Sequence, residues 1–238
     1  MAAHADVSIF YKREVYEVLK KVFKNISDYK IQSILENSNI KKYQKNDLIL
    51  SQENSSDALY ILLDGIIQIG YLSPSGRFHA FSYYSEKHLI NLLPCLNSQA
   101  IDYDYYAFNQ VRILQIPKAV FIEEISHSNA LKQDVLDILS LRMHYLIQQV
   151  KFLQVANLHQ KVCKILLDLS MQYGEAHALG TEIRLKISQH DLADLLSSSR
   201  QTINKEIKIL AQQNVVFWQY ENIIIKNKDY LSKQVLLI

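Results

Sequence analysis

Side chains that can hydrogen-bond bases and phosphates are concentrated between residues 199 and 208. They are Ser199, Arg200, Gln201, Thr202, Asn204, Lys205 and Lys208. Arginine can donate two hydrogen bonds to guanine, glutamine can pair with adenine in the same way, and Lys205 and Thr202 suit contact with either a base or a phosphate. Ile203, Ile207 and Leu210 recur among them at i, i+4 and i+7, which predicts a helix whose outer face carries the polar set. The segment is therefore a candidate DNA-reading helix.

A helix-turn-helix at about residues 188–211 would position that outer face. Ser188 is a favourable N-cap residue for the first helix, and Asp191 places negative charge in its first turn. The apolar side of this helix is supplied by Leu192, Ala193, Leu195 and Leu196. The turn follows at Ser197–Ser199, whose last residue can cap the second helix. A polar surface helix is the alternative, but a hairpin predicted next, with Gln219–Asn222 at its tip, favours a winged motif that enters the major groove.

A heptad row of apolar residues precedes the helix-turn-helix. It steps by three and four residues through Leu136, Leu139, Met143, Leu146, Val150 and Leu153. This spacing is typical of a helix that pairs along its length with a partner, and we interpret it as a homodimer seam. Packing of the same stripe on the strand-rich region is the alternative. Ile138 and Leu141 offer a second apolar edge for that packing, which favours the seam.

The first half of the chain changes from helical to strand-like periodicity. Residues 8–37 carry apolar residues near a spacing of 3.6 and are predicted to be helical. From about residue 40, short apolar runs such as ALYILL, GIIQIGYL, HLINLLPCL and VRILQI alternate with turn signals. Asp64-Gly65 is a tight hairpin signal, and residues 73–76 form a second turn. Many short strands at this spacing predict a small antiparallel barrel or sandwich.

The predicted organisation is an α+β chain in three parts. Residues 1–126 contain N-terminal helices and the strand domain, residues 127–156 the dimerisation helix, and residues 157–238 the DNA-binding domain. Asn157 can cap the first helix of that last part, after which Gly174 and Gly180 bracket a loop. The chain has 238 residues, of which 49% are apolar, enough for two packed domains.

The composition limits the cellular compartment and the kinds of partner that we expect for this protein. Cys95 and Cys163 are far apart and have no metal-ligand spacing, so we expect a reduced, cytoplasmic protein. No stretch approaches 18 uncharged apolar residues, so no membrane span and no membrane partner are expected. The formal net charge is only +2. DNA phosphates must therefore be met by local clusters of basic residues.

The chain resembles the Crp/Fnr transcription regulators over nearly its whole length. The resemblance depends on SQHDLADLLSSSRQTINKEIKIL, the hairpin after it, and KKYQKNDLILSQENSSDALYILLDGIIQIGYLSPSGRFHAFSYY. It implies a β-roll effector domain, which is a cupin-like jelly roll, followed by a long dimerisation helix and a winged helix-turn-helix. By position, Arg200, Gln201 and Lys205 match the family's base-reading residues, and Thr202 matches a residue that meets phosphate. Double-stranded DNA with a palindromic operator is the implied partner.

Two departures from the family pattern lie outside the reading helix. Ser197 stands where many members have a glycine in the turn, and Glu53 stands where a glycine often follows the glutamine of the β-roll. Serine can occupy such a turn with modest strain. Neither departure changes the assignment.

The resemblance also implies where a cyclic nucleotide would bind, and those positions lack the family's anchors. Asn91-Leu92 falls on the Gly-Glu pair that cradles the phosphate, and Ile101-Asp102 falls on the Arg-Ser pair. The family's residues whose hydroxyl groups contact the purine match Leu146 and Ile147 of this chain by position. A phosphate needs cationic or N–H donors, and Asp102 and Asp104 would repel it. We therefore expect no response to cyclic nucleotides.

A different small-molecule effector is the alternative. It would be a haem, a thiol or another metabolite that gates DNA binding from the β-roll. Its pocket would be lined by Tyr83, Leu92, Tyr103, Tyr105, Leu146 and Ile147. The tyrosines could receive an aromatic or peptidic ligand, or could be core and rim residues.

Other chemistries find little support in the sequence. His79, His88 and His144 could ligate haem or be ordinary hydrogen-bonded residues. Cys95 could sense thiols, but no basic neighbour lowers its pKa. A metalloenzyme would need a close His-x-His pair, which His79 and His88 do not form. No cofactor is predicted and the chain is not expected to be an enzyme; if the regulator activates transcription, RNA polymerase is a further partner.

Overall fold

The computed structural model describes residues 2–52, 57–73, 76 and 78–236, with side chains described from residue 12. Glu53 and the Pro74-Ser75 centre of the second predicted turn lie outside the described residues. Two compact units are present, Met1–Arg142 and Met143–Ile238. The α+β class is confirmed. The division at residues 126/127 and 156/157 stays a prediction.

The first unit combines helices with two antiparallel sheets. Its elements are α1 (Ala2–Val22), α2 (Asp28–Glu36), β1 (Asn39–Tyr43), β2 (Leu48–Leu50), β3 (Ala58–Asp64), β4 (Ile67–Leu72), β5 (Phe78–Tyr84), β6 (Leu89–Ile90), α3 (Leu92–Asn97), β7 (Asp104–Ala107), β8 (Val111–Pro117), α4 (Lys118–Ser126) and the start of α5 (Asn129–Val155). The sheets have the orders β1-β8-β3-β6 and β2-β7-β4-β5. Gly65 has φ +90, as the predicted hairpin between β3 and β4 requires. The strand-rich prediction for this region is confirmed.

Strand β3 is buried on both faces and separates two apolar clusters. Leu59 and Ile61 belong to a cluster shared with α1 and α2, whereas Tyr60 and Leu62 belong to the cluster inside the β-roll. Because successive side chains of a strand point to opposite faces, one continuous apolar run serves both clusters. The predicted helical region 8–37 is likewise present, as α1 and α2.

The run HLINLLPCL is not one strand as predicted. Only Leu89 and Ile90 form β6, and α3 follows. Within α3, Leu92 and Cys95 are buried at helical spacing while Leu93 and Leu96 are exposed. A short apolar run has no period that separates strand from helix, which is why the strand prediction is wrong here.

The second unit contains the end of α5, a helical core and one four-stranded sheet. Its further elements are α6 (Leu158–Gln172), β9 (Gly174–His177), β10 (Gly180–Ile183), α7 (Gln189–Leu195), α8 (Arg200–Gln212), β11 (Val216–Gln219), β12 (Asn222–Ile225) and α9 (Lys228–Leu236). Asn157 caps α6 in a capping box with Gln160, as its residue type predicts. The sheet has the order β11-β12-β10-β9.

The loop predicted between Gly174 and Gly180 is instead the hairpin β9–β10. Thr181, Glu182 and Ile183 of β10 pair with residues of β12 that are 40 to 44 positions later. Strand β12 supplies hydrogen bonds to β10, and the short polar sequence of β9 and β10 does not by itself predict this pairing. The segment therefore extends the sheet.

Helix α5 has 27 residues and is about 40 Å long at 1.5 Å per residue. The boundary between the two units falls inside it, after Arg142. Among the helices that the structure describes, none is both long and apolar enough to cross a membrane.

Candidate nucleic-acid interface and effector region

Local hydrogen bonds fix the two helices of the predicted helix-turn-helix. The Ser188 hydroxyl accepts the His190 and Asp191 backbone N–H groups, and the Asp191 carboxylate accepts the Ser188 N–H at 2.7 Å. Ser199 caps α8 by accepting the Thr202 N–H at 3.1 Å. Both serines thus act as the N-caps that the sequence predicts. The caps determine where each helix begins.

Packing against α7 turns one side of α8 inward. Ile203, Ile207 and Leu210 are buried, as predicted. Leu192 and Ala193 of α7 are buried, while Leu195, its last residue, and Leu196, its C-cap residue, are half-buried. The predicted apolar side of α7 is therefore only partly covered in this chain.

The turn between the helices depends on one strained residue. Ser197 has φ +49, the left-handed region that glycine adopts without cost. Its backbone N–H donates to the Asp194 carbonyl at 3.0 Å, and the Ser198 N–H donates to the Ala193 carbonyl at 2.9 Å. The serine thus adopts a conformation that favours glycine, the residue that the family pattern implies at this turn.

The outer face of α8 carries the predicted DNA-binding residues. Ser199, Arg200, Gln201, Thr202, Lys205 and Lys208 are exposed, and Asn204 is half-buried. In the part of the chain that the structure describes, Arg200, Lys205 and Lys208 form no ion pair. The hydroxyl groups of Ser199 and Thr202 lie 2.7 Å apart at the N-terminus of the helix. A helix N-terminus is a favourable position for a phosphate.

The one acidic residue of α8 faces away from this surface. Glu206 lies 2.8 Å from Nδ1 of His159 on α6, and Nε2 of His159 lies 3.3 Å from the Tyr230 hydroxyl on α9. Elsewhere in the second unit, Lys164 is paired with Asp168, Arg184 with Glu175 and Lys186 with Glu182. Among the described residues, the outer face of α8 therefore carries three positive charges with no paired carboxylate, although the whole chain is nearly neutral.

The predicted wing is a two-stranded hairpin formed by β11 and β12. Its tip is at Tyr220 and Glu221, between Gln219 and Asn222, as the sequence predicts. The Trp218 Nε1 donates to the Tyr220 carbonyl at 2.7 Å, which closes the tip. Tyr220 is 89% exposed.

The predicted seam is an exposed apolar stripe on α5. Leu136, Met143, Leu146, Val150 and Leu153 are each more than half exposed, while Leu139 is partly buried against the first unit's core. Ile147 is 58% exposed and widens the stripe. An exposed apolar stripe of this kind is typical of a protein–protein interaction surface.

The positions predicted to match the family's phosphate cassette are occupied by Asn91, Leu92, Ile101 and Asp102. Asn91 is buried, has φ +67, and donates from Nδ2 to the Ala58 carbonyl at 2.8 Å. Leu92 is buried in the cluster that includes α1 and α2, and Ile101 is buried beneath the β-roll surface. Asp102 is exposed, and the buried Asp104 accepts the Gln52 N–H at 3.0 Å. Asn91 therefore has a backbone conformation that glycine adopts readily.

The structure brings together only part of the predicted effector pocket. Tyr103 and Tyr105 pack at the β-roll cluster with ring centroids 5.4 Å apart, and burial raises the pKa of Tyr105. Tyr83 makes an edge contact with Phe108 at 5.3 Å instead. Leu92 lies in the other cluster. Leu146 and Ile147 are exposed on α5, in the second unit.

Sequence reasoning missed Arg142. Its guanidinium donates to the Leu89 carbonyl at 2.6 Å, which ties α5 to β6. The nearby His88 stacks on Tyr84 with ring centroids 4.6 Å apart. Burial lowers the pKa of His88, and the charge of Arg142 lowers it further. A lone arginine in the stretch LSLRMHYL was the one available signal.

The candidate sensors differ in their surroundings. Cys95 is fully buried, and burial raises the pKa of its thiol to about 11. His79 stacks on Tyr71, whereas His144 is exposed. No group of three or more His, Cys, Asp or Glu residues that could hold a metal occurs among the residues that the structure describes.

Comparisons with known proteins agree with this architecture. Residues 160–234 match the Crp-like helix-turn-helix domain, and residues 40–128 match the cyclic nucleotide-binding domain. The CRP-like cAMP-activated global transcriptional regulator of Mycobacterium tuberculosis is 17% identical over 213 residues, 90% of this chain and 95% of the relative. The global nitrogen regulator of Synechococcus elongatus is 21% identical over 197 residues, 82% of this chain and 89% of the relative.

A solved structure shows the same fold. It is that of the c-di-GMP responsive global regulator CLP of Xanthomonas campestris, with a TM-score of 0.70 and 16% identity over 84% of this chain and 100% of that chain. The two domain matches agree with the regulators that align along most of the chain. The capped helix-turn-helix agrees with both. The chain belongs to the Crp/Fnr family of helix-turn-helix DNA-binding transcription regulators.

Proposed function

We propose that this protein is a cytoplasmic, homodimeric regulator that binds a palindromic operator by placing α8 of each chain in a major groove. The observation that carries the proposal is the charge arrangement of α8. Arg200, Lys205 and Lys208 are exposed, while Glu206 is held by His159. This arrangement gives the helix a positive outer face that suits DNA.

Each residue of the outer face has a role that follows from its chemistry. Arg200 and Lys205 can donate to guanine, and Gln201 can pair with adenine. Ser199 and Thr202, at the capped N-terminus of α8, meet a phosphate. Lys208, two turns later, contributes charge to the backbone rather than to a base. Asn204 also faces the groove, at the edge of the reading surface.

The dimer forms through the α5 seam. The seam residues repeat with the heptad spacing of paired helices and expose their side chains in the single chain. Water is excluded from these side chains if a second copy covers them. Two-fold symmetry then separates the half-site centres by about 34–36 Å.

Two single substitutions on α8 test this function. Arg200→Ala is expected to lose about 1–3 kcal/mol of specific binding free energy and to relax one base-pair position. Lys208→Ala is expected to weaken binding evenly across sequences and to reduce its salt dependence. Lys45→Ala removes an exposed charge from the first unit and serves as the control. If Arg200→Ala binds as tightly and as selectively as wild type, Arg200 does not read DNA.

A second candidate function is gating by a small molecule. The bond between Arg142 and Leu89 links α5 directly to the β-roll, and a ligand that changes this bond would bias the helix. Cyclic nucleotides are not the proposed ligand, because Asn91, Leu92 and Asp102 supply none of the family's phosphate donors. If cAMP raises the melting temperature or the DNA affinity, that exclusion is wrong. If haem, thiols and metabolite extracts change neither quantity, a constitutive regulator is preferred.

A further inference from the structure

Unlike the exposed residues on the outer face of α8, Asn204 hydrogen-bonds a side chain of α7. It lies one turn after Arg200, at the edge between the exposed and buried sides of α8. Its Nδ2 donates to Oε1 of Gln189 at 2.7 Å. Gln189 is the first residue of α7, and the capping box of Ser188 and Asp191 fixes the backbone there. The backbone that carries the partner of Asn204 is therefore fixed.

In the arrangement that the structure shows, Nδ2 of Asn204 is bonded to Gln189, and its acceptor oxygen, Oδ1, is left available to a base. A free asparagine amide can turn over and exchange its oxygen with its nitrogen. The bond to Gln189 directs Nδ2 towards α7, and Oδ1 has no partner among the residues that the structure describes. In the major groove an acceptor oxygen matches the exocyclic amino groups of adenine and cytosine and is repelled by the O6 of guanine and the O4 of thymine.

We propose that Gln189 is a positioning residue that sets the base preference of Asn204. By holding Nδ2, it makes Asn204 present an acceptor, so the contacted base of each half-site is adenine or cytosine. This inference rests on the proposed insertion of α8 into the major groove. Gln189 touches no base in this role and acts only through the asparagine.

A matched pair of substitutions separates positioning from mere size. Gln189→Glu keeps the length and the acceptor oxygens, whereas Gln189→Met keeps the length and removes the amide acceptor. Binding sites are selected from random duplex DNA with the full-length wild type and both variants. Asn204→Ala, selected in parallel, identifies the base pair that Asn204 contacts. The melting temperature of each variant shows whether the folded state is retained.

At that base pair, wild type and Gln189→Glu are expected to favour adenine or cytosine by about three- to tenfold, the value of one net hydrogen bond. Gln189→Met is expected to reduce the preference to within about twofold, while every other position is unchanged. The added charge of Gln189→Glu lowers affinity for all sequences alike.

The inference is overturned if Gln189→Met keeps the preference, if Gln189→Glu loses it, or if Asn204→Ala relaxes no position. An Arg200→Ala selection distinguishes this from failure of the proposed function. If Arg200→Ala relaxes its own position while the Gln189 variants change nothing, only the role of Gln189 is wrong. If Arg200→Ala also changes nothing, α8 does not read DNA.

Discussion

The strained turn of the helix-turn-helix makes a quantitative prediction about stability. Ser197 has φ +49, where a side chain with a Cβ costs roughly 1–2 kcal/mol. Glycine removes this cost but increases the entropy of the unfolded chain by about 0.4–1 kcal/mol. Ser197→Gly is therefore expected to stabilise the second unit by about 0.5–1 kcal/mol. For a domain of this size, that gain raises the melting temperature by about 2–6 °C.

Two neighbouring substitutions test the reason for the gain. Ser197→Ala keeps a Cβ in the left-handed conformation and is expected to give no stabilisation. Ser198 is not among the positive-φ residues, so Ser198→Gly is expected to destabilise by about 0.5–1 kcal/mol. Thermal unfolding of the full-length variants, followed by circular dichroism, measures all three. If Ser197→Gly melts below wild type, or Ser197→Ala melts as high as Ser197→Gly, the strain does not determine stability here.

Three other predictions concern the dimer seam, a buried thiol and a buried histidine. Leu146→Glu places a charge in the seam and is expected to give monomers in sedimentation experiments. Leu141→Glu, on another face of α5, is expected to leave the dimer intact. If the two variants have the same oligomeric state, the dimer does not form through the seam. Cys95 is expected to resist a disulfide reagent at pH 8 until the protein is unfolded, because burial raises its pKa to about 11; rapid labelling of the folded protein would contradict this. Burial lowers the pKa of His88 below its ordinary 6.5, so the unfolded chain takes up the proton first. The first unit should therefore lose stability as the pH falls below about 6.5, and His88→Gln should reduce this slope; an unchanged slope would assign it to another group.

The features that sequence predicts well are those determined by neighbouring residues. The N-caps at Asn157, Ser188 and Ser199 depend on a side chain and a backbone N–H two or three positions later. The buried side of α8 follows from one helical period. The hairpin turn at Gly65 follows from a residue type that tolerates positive φ.

The features that sequence does not predict depend on distant partners. The hairpin β9–β10 exists because β12 pairs with it, and α3 forms where Leu92 and Cys95 meet the core. The bond between Arg142 and Leu89 spans 53 positions, and the bond between His159 and Glu206 spans 47. The residue types alone do not show which of these residues contact each other in the folded chain. The positioning of Asn204 by Gln189 belongs to the same class.

Selection of binding sites from random duplex DNA by the full-length protein tests the central claim most directly. The predicted result is an inverted repeat whose half-site centres are about one helical turn, 34–36 Å, apart, bound by two chains. Enrichment of no sequence, or of a single unrepeated site bound by one chain, would contradict a dimer that reads DNA through α8.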